Sequence, residues 1–445
     1  MQRLRLFSSQ LQNNRMKKKF YFRYPVCFIA FLVLLLPGCM KDKIRKTYQI
    51  TTPVFETLTK LRESIKSQPA ISIMAPGKIT VAGKYILLAE QGKGIHVIDN
   101  SNPSTPRNVS FINIPGNEDL AITGNTLYAD SYGDLVTFDI SDPLDVKAEN
   151  FVTNIFPDHN NYYYPSAGYL TDTSHNADSI NIIIGWTARD TTVDYDPSGS
   201  YIGYYNSCLN CAAAPATYIA NASAPAIGTG VATNGSTARF NILNSFLYTV
   251  GATSLTTFDI SQPSRPSFTS SVQIDPHVET IYTLKNRLFI GTNNGMYMFD
   301  VQTAPATPKL AGEFTHLRAC DPVIADDNYA YVTLNDASAC MGSLNQLQIV
   351  DIHDLGNSFL VTSYQLVHPE GLSKDGDDLF ICDGTDGLKI FNVADVKNIH
   401  LVKQLKNADV HDIVTENGLA IVVAADGIYQ YDYADLNNIH LISKL

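Results

Sequence analysis

Lys78, Glu118, Arg239, Glu279, Asp321, Glu370 and His411 occupy one station of a repeating sequence, and their types could do chemistry. Five lie 20 or 21 positions before a recurring Asp or Asn; Asp321 and Glu370 sit at neighbouring offsets where a loop is longer. Four acids, a Lys, an Arg and a His converging on an axis could hold a calcium-like cation or a polar ligand. The preferred reading is plainer: a structural ring of mutually paired charges that closes a water-filled channel, with no resident cofactor. Recognisable catalytic motifs are missing from the sequence. It has no Gly-x-Ser-x-Gly elbow, no His-Glu-x-x-His, no phosphate-binding Gly-x-x-x-x-Gly-Lys and no dinucleotide fingerprint.

A second candidate is a Tyr- and Asn-rich stretch. Trp186, the one Trp of the chain, precedes Tyr201, Tyr204 and Tyr205 in a segment near 198–235 of the kind that contacts sugars or proteins. Cys208 and Cys211 fall inside it, with no His near enough to complete a zinc site, so a local disulfide is expected rather than metal binding. Cys320 precedes one strand and Cys340 follows its hairpin partner. These two thiols should therefore be neighbours, and in an oxidising compartment a disulfide is expected. Cys382, within Leu-Phe-Ile-Cys, reads as a small core residue.

The elements that must position these residues follow from one motif. Asp-Leu-Val-Thr-Phe-Asp-Ile-Ser-Asp-Pro at 134–143 has relatives at 94–103, 254–263, 295–303, 346–354, 387–395 and 427–435. The central Asp or Asn falls at 99, 139, 259, 300, 351, 392 and 432, so most steps are 40 or 41 residues. Within each unit, three strand-like runs and a looser fourth are separated by turn residues such as Gly124-Asn125 and Asn417-Gly418. Four antiparallel strands per repeat of this length predict an all-β chain folded as a β-propeller. Eight blades are favoured, with a divergent one at about 166–195 filling the 120-residue step between Asp139 and Asp259; seven is the alternative. The closing unit should pack against 71–98 without exchanging a strand.

Charge and the N-terminus narrow the setting. The formal net charge is −11, but residues 1–39 hold seven Lys or Arg and no acid, leaving 25 basic against 43 acidic side chains beyond them. Such a surface repels phosphate backbones, so nucleic acid is not an expected partner. Lys17-Lys18-Lys19 and Arg23 precede an apolar run at 26–36, too short to cross a bilayer and right for a signal-peptide core. It ends in Leu-Pro-Gly-Cys, similar to a bacterial lipobox, which would place lipid on Cys39 and anchor the protein to a membrane. Residues 1–15 read as an over-long start, because Met16 opens a tidy signal. Beyond Cys39, residues 40–52 are expected to be a polar tether. Val54, Leu58, Leu61 and Ile65 then predict one short amphipathic helix before a propeller spanning 71–445. Met40-Lys41-Asp42 has no Asp straight after the Cys, so the outer membrane is expected, on its periplasmic face rather than the cell surface.

Phe-Asp-Ile-Ser-Asp-Pro and Gly-Ile-His-Val-Ile-Asp resemble the LVIVD repeat of bacterial and archaeal cell-surface proteins. Pro76-Gly77-Lys78, the run at 111–116, the block at 319–334 and the run at 430–433 resemble that family's lipoprotein members. The resemblance extends from about residue 50 to the end and is weakest at 155–235. It implies an exported, lipid-anchored propeller and brings no ligand or reaction with it. The expected function is a non-catalytic binding or scaffold module of the cell envelope with a protein or glycan partner. The competing expectation is a hydrolase or lyase using the channel-mouth acids, with or without a metal.

Overall fold

The computed structural model describes residues 44–156, 162–163, 181–195, 237–274, 277–316, 322–336 and 344–445. Cys39, Cys208, Cys211, Cys320, Cys340, Tyr201, Tyr204, Tyr205 and Asp321 lie outside the described residues, so the lipidation, both disulfides and most of the Tyr-rich contact segment do too.

Nearly everything described is antiparallel sheet. In the first unit the strands Pro76–Ala82, Tyr85–Glu90, Gly94–Asp99 and Arg107–Asn113 pair in sequence order. The second repeats this with Leu120–Thr123, Thr126–Ser131, Asp134–Asp139 and Lys147–Val152. Five further four-stranded sheets occupy 240–273, 278–315, 323–365, 372–405 and 410–444. The first strands of successive units lie side by side, and apolar side chains fill the space between neighbouring sheets. The architecture is a β-propeller of four-stranded blades.

Repetition in the sequence has a local cause in each blade. The central Asp or Asn accepts a hydrogen bond from the backbone N–H two residues on in all seven copies, from Ser101 at 3.0 Å through Ser141 at 2.8 Å to Ala434 at 2.9 Å. That side-chain turn starts the link from third to fourth strand, so the motif is architectural. The Gly opening the third strand recurs for a different reason. A Cβ on Gly94, Gly387 or Gly427 would run into the backbone carbonyl of the fourth strand, and all three have positive φ.

The second unit packs directly against the third. Ala121, Tyr128, Leu135 and Phe156 share a core with Phe240, Ile242, Leu247 and Phe258, and the Tyr128 hydroxyl donates to the Pro263 carbonyl at 2.7 Å. This contact sets the second and third described units side by side. The described residues hold seven units. Residues 181–195, assigned to the extra blade, instead form one long strand, Asn181–Tyr195, paired with Ile44–Thr57 on one side and Tyr162–Tyr163 on the other.

Closure uses packing alone. Ile79, Val81, Ile86 and Leu88 of the first unit bury against Val414, Ile421, Val423 and Ile428 of the last. At the outer side of this seam the amides of Asn100 and Gln430 exchange hydrogen bonds at 3.0 and 2.8 Å, and Ser443 donates to the Pro103 carbonyl at 2.6 Å. No strand is exchanged, as expected.

The residues before the first blade depart from expectation. Strand Ile44–Thr57 takes the place of most of the tether, and the helix is only Leu58–Glu63, capped by Thr57, whose hydroxyl accepts from Lys60 N at 3.3 Å. Val54 falls in the strand, whereas Leu58, Leu61 and Ile65 are buried as the spacing predicts. Strand Lys66–Gln68 then slots between the outer strands of units one and two, pairing Ser67 with Ile112 and Lys66 with Lys147. Arg62 completes the clamp with an ion pair to Asp134 and its guanidinium over the Phe151 ring. Residues 44–51 and 188–195 belong to a separate small unit, in which the Thr47 and Thr192 hydroxyls lie 2.9 Å apart.

Candidate functional site

Because every first strand runs the same way, the channel has two different ends. Strand starts gather at one mouth and strand ends, with their hairpin turns, at the other.

The start mouth is where the sequence places the ring. Lys78 lies buried against the carboxylate of Asp119. The same carboxylate accepts the backbone N–H groups of Arg239 and Phe240, the latter at 3.0 Å, while the Arg239 guanidinium reaches Glu118 at 2.9 Å. Burial pulls the Lys78 ammonium down and pushes the Asp119 carboxyl up, each against their mutual attraction. On another arc of the mouth, His411 Nδ1 lies 3.1 Å from both carboxylate oxygens of Glu370. Burial disfavours the imidazolium, but Glu370, Asp409 and Asp412 outweigh it and raise the His411 pKa. The Thr237 hydroxyl, at the entrance to unit three, donates to Asp412 of unit seven at 2.9 Å and so spans the mouth. Glu279 is engaged as well.

Sequence reasoning missed the partners that make these contacts. Asp119 and Asp412 stand one residue after Glu118 and His411, at an offset of 20, where a count by single offsets passes over them. It also missed the acids that end second strands. Glu90 accepts Met74 N and Ala75 N at 3.1 Å, Asp130 accepts Glu118 N and Asp119 N at 2.8 Å, and Asp383 accepts His368 N at 2.7 Å. Each staples down the loop leading into its own first strand, and each lies nine residues before the central Asp or Asn, a spacing that could have revealed it.

At the exit mouth the ends of the first strands of units four to seven surround a cavity of about 560 Å³. Tyr282, Tyr329 and Tyr331 form one wall, Val393 and Val396 another, with Asp326, Lys374 and Asp377 at the polar rim. Asp326 is the hub. It accepts Asn328 N at 3.0 Å, Tyr329 N at 2.9 Å and the Tyr331 hydroxyl at 2.9 Å, and it pairs with Lys374 at 3.1 Å. Burial would raise its pKa, but these donors outweigh burial and lower it. Burial pushes Tyr282 up to about 12, with Asp326 adding to the effect, so the phenol is neutral at any physiological pH. The turns at 326–327 and 375–378 read from sequence as plain hairpins. They are hairpins, and they also form this rim.

Family comparison bears on the repeats themselves. The LVIVD repeat model matches residues 76–113, 117–145 and 234–274, which are the first three units. Those three stretches carry LVIVD repeats. No functionally curated protein matches the chain. Among solved structures, the chain is similar to BamB from Moraxella catarrhalis, at 8% identity over 86% of this chain and 99% of that one, with a TM-score of 0.47. It is similar also to a protein from Lactobacillus plantarum, at 12% identity over 85% and 95% of the two chains and a TM-score of 0.49. The propeller assignment rests on sheet order and not on these likenesses. Among the described residues no group of three or more His, Cys, Asp or Glu is arranged to hold a metal ion.

Proposed function

We propose that this protein is a non-catalytic binding module, lipid-anchored through Cys39 in the bacterial envelope, that engages a protein or glycan partner. One observation carries the reading: the two mouths use their charge differently. Glu118 and Glu370, the acids a hydrolase or cation site would need, are committed to Arg239 and His411 at 2.9 and 3.1 Å. The exit mouth instead keeps an open cavity with aromatic, aliphatic and charged walls, the mixture that recognises ligands. Basic residues before an 11-residue apolar run and Leu-Pro-Gly-Cys support the anchor.

The test has two parts. Mass spectrometry of the membrane-extracted protein should find a diacylglyceryl-modified Cys39 at the mature N-terminus; an unmodified Cys39 would remove the anchor. A screen of glycosides and lactones with purified protein should give no turnover. Turnover abolished by Glu118→Gln or Glu370→Gln would replace this reading with the hydrolase one.

A further inference from the structure

We infer that the exit-mouth cavity is a binding site for an organic cation, an alkylammonium or guanidinium chain whose charged end meets Asp377 while its stem lies between the tyrosine and valine walls. This deepens the binding reading given above and rests on it.

Size, shape and sign agree. A cavity of about 560 Å³ admits a chain of several carbons with room for a polar head. Tyr282, Tyr329 and Tyr331 line one side, and the faces of such rings attract cations. Of the charged groups at the rim, most are already matched: Asp326 with Lys374, Asp327 with Lys285, and Asp375 with the Tyr433 hydroxyl at 2.7 Å. Among the described residues the Asp377 side chain takes part in no hydrogen bond or ion pair, and it is exposed at the cavity edge. Its negative charge is therefore available to a ligand.

The surroundings reinforce that sign. The hairpin turns of units five to seven carry Asp326, Asp327, Asp375, Asp377, Asp378 and Glu416, opposed nearby by Lys285 and Lys374. Burial raises the Asp378 pKa, and Asp377 and Asp375 raise it further against a hydrogen bond from Asn392. Burial is the larger cause of that shift, but the like charges of Asp375, Asp377 and Asp378 crowd this rim. An incoming cation relieves that crowding and an anion aggravates it. Lys374 does not cancel the preference, because Asp326 and the Gly376 carbonyl, at 3.1 and 2.6 Å, hold its ammonium.

The cation could be a free diamine or the side chain of a basic residue on a partner protein, and calorimetry with purified protein separates these. The probes are cadaverine and Nα-acetyl-lysine methylamide, with Nα,Nε-diacetyl-lysine methylamide and glutarate as neutral and anionic counterparts. Binding of either cation, weakened at least tenfold by Asp377→Asn and abolished by Ala394→Trp, which fills the cavity, is the expected result. The lysine amide binding more tightly than cadaverine identifies a protein side chain as the source, and the reverse identifies a free amine. Equal binding of the neutral amide, or cation binding that Asp377→Asn leaves unchanged, overturns the inference. Should both cations fail while a neutral oligosaccharide binds and Ala394→Trp blocks it, the cation class falls and the cavity stands as a site. If nothing binds and Ala394→Trp alters no property of the protein, the exit-mouth reading falls with it.

Discussion

The two ends of one channel are built from the same seven strands, yet they solve opposite problems. At the start mouth Lys78, Glu118, Arg239, Glu370 and His411 are each met by another part of the chain, and Thr237 ties unit three to unit seven. At the exit mouth the polar groups brace a wall of tyrosines around open space. Strand starts are reached by long, variable connections that can supply partners from neighbouring blades. Strand ends are joined by short hairpins whose cross-blade contacts, Asp327 with Lys285, Asp326 with Lys374 and Asp375 with Tyr433, brace the rim without filling the hollow between blades. One mouth is therefore expected to hold stability and the other recognition.

The largest expected effect tests the first half of that contrast. Asp119→Ala would leave Lys78 buried without its partner and strip Arg239 N and Phe240 N of their acceptor, costing about 3–5 kcal/mol. Urea unfolding reads this directly, and a loss below about 1 kcal/mol would mean the start mouth is not a structural ring. Next comes the triple variant Glu118→Gln, Glu279→Gln, Glu370→Gln. It should lower the melting temperature by several degrees while leaving calcium and cation titrations as in the parent; unchanged melting together with lost calcium binding would make the ring a site after all.

A smaller, pH-dependent effect is expected at His411. Its folded pKa is raised above the unfolded value by Glu370, Asp409 and Asp412, so its contribution is fully present below the unfolded pKa. That contribution is lost as pH rises through the folded pKa. His411→Ala should thus destabilise more at pH 5.5 than at pH 8.5, and an equal loss at both would show the ring nitrogen carries no extra proton. The smallest effect belongs to the other mouth: Asp377→Asn should change stability by less than about 0.5 kcal/mol, as expected for an exposed side chain without partners. A larger change would show that the exit mouth is braced in the same way as the start mouth.

How much of this was legible in the sequence depends on whether a feature repeats. The central Asp, the opening Gly and the strand order recur in most units, so blades, closure and channel could be read from one chain. Lys78, Glu118, Arg239, Glu370 and His411 could be placed at one mouth by counting, because the count follows the strands. Their true partners could not, since Asp119 serves three groups from units one and three, and no offset encodes contacts between blades. The run at 181–195 was ambiguous for a related reason. A strand-like run at 181–195 reads the same whether it pairs within a blade or with 44–57. The exit cavity was overlooked because turn chemistry explains Asp326 and Asp375–Asp378 completely at the local level, and the hollow exists only once four blades are side by side.

The seam between the first and last blades gives the ring a designated opening. Elsewhere a covalent connection joins each blade to the next, and at units one and two strand Lys66–Gln68 adds a second bond line across the joint. Between units seven and one the described residues pair no strands and are held by an apolar interface, the Asn100–Gln430 clasp and the hydrogen bond from Ser443 to the Pro103 carbonyl. Under a pulling force, or in the breathing that hydrogen exchange detects, the molecule behaves as a split washer: it parts at that slit first, and the last blade swings away while the clamped pair at the other side of the slit stays whole.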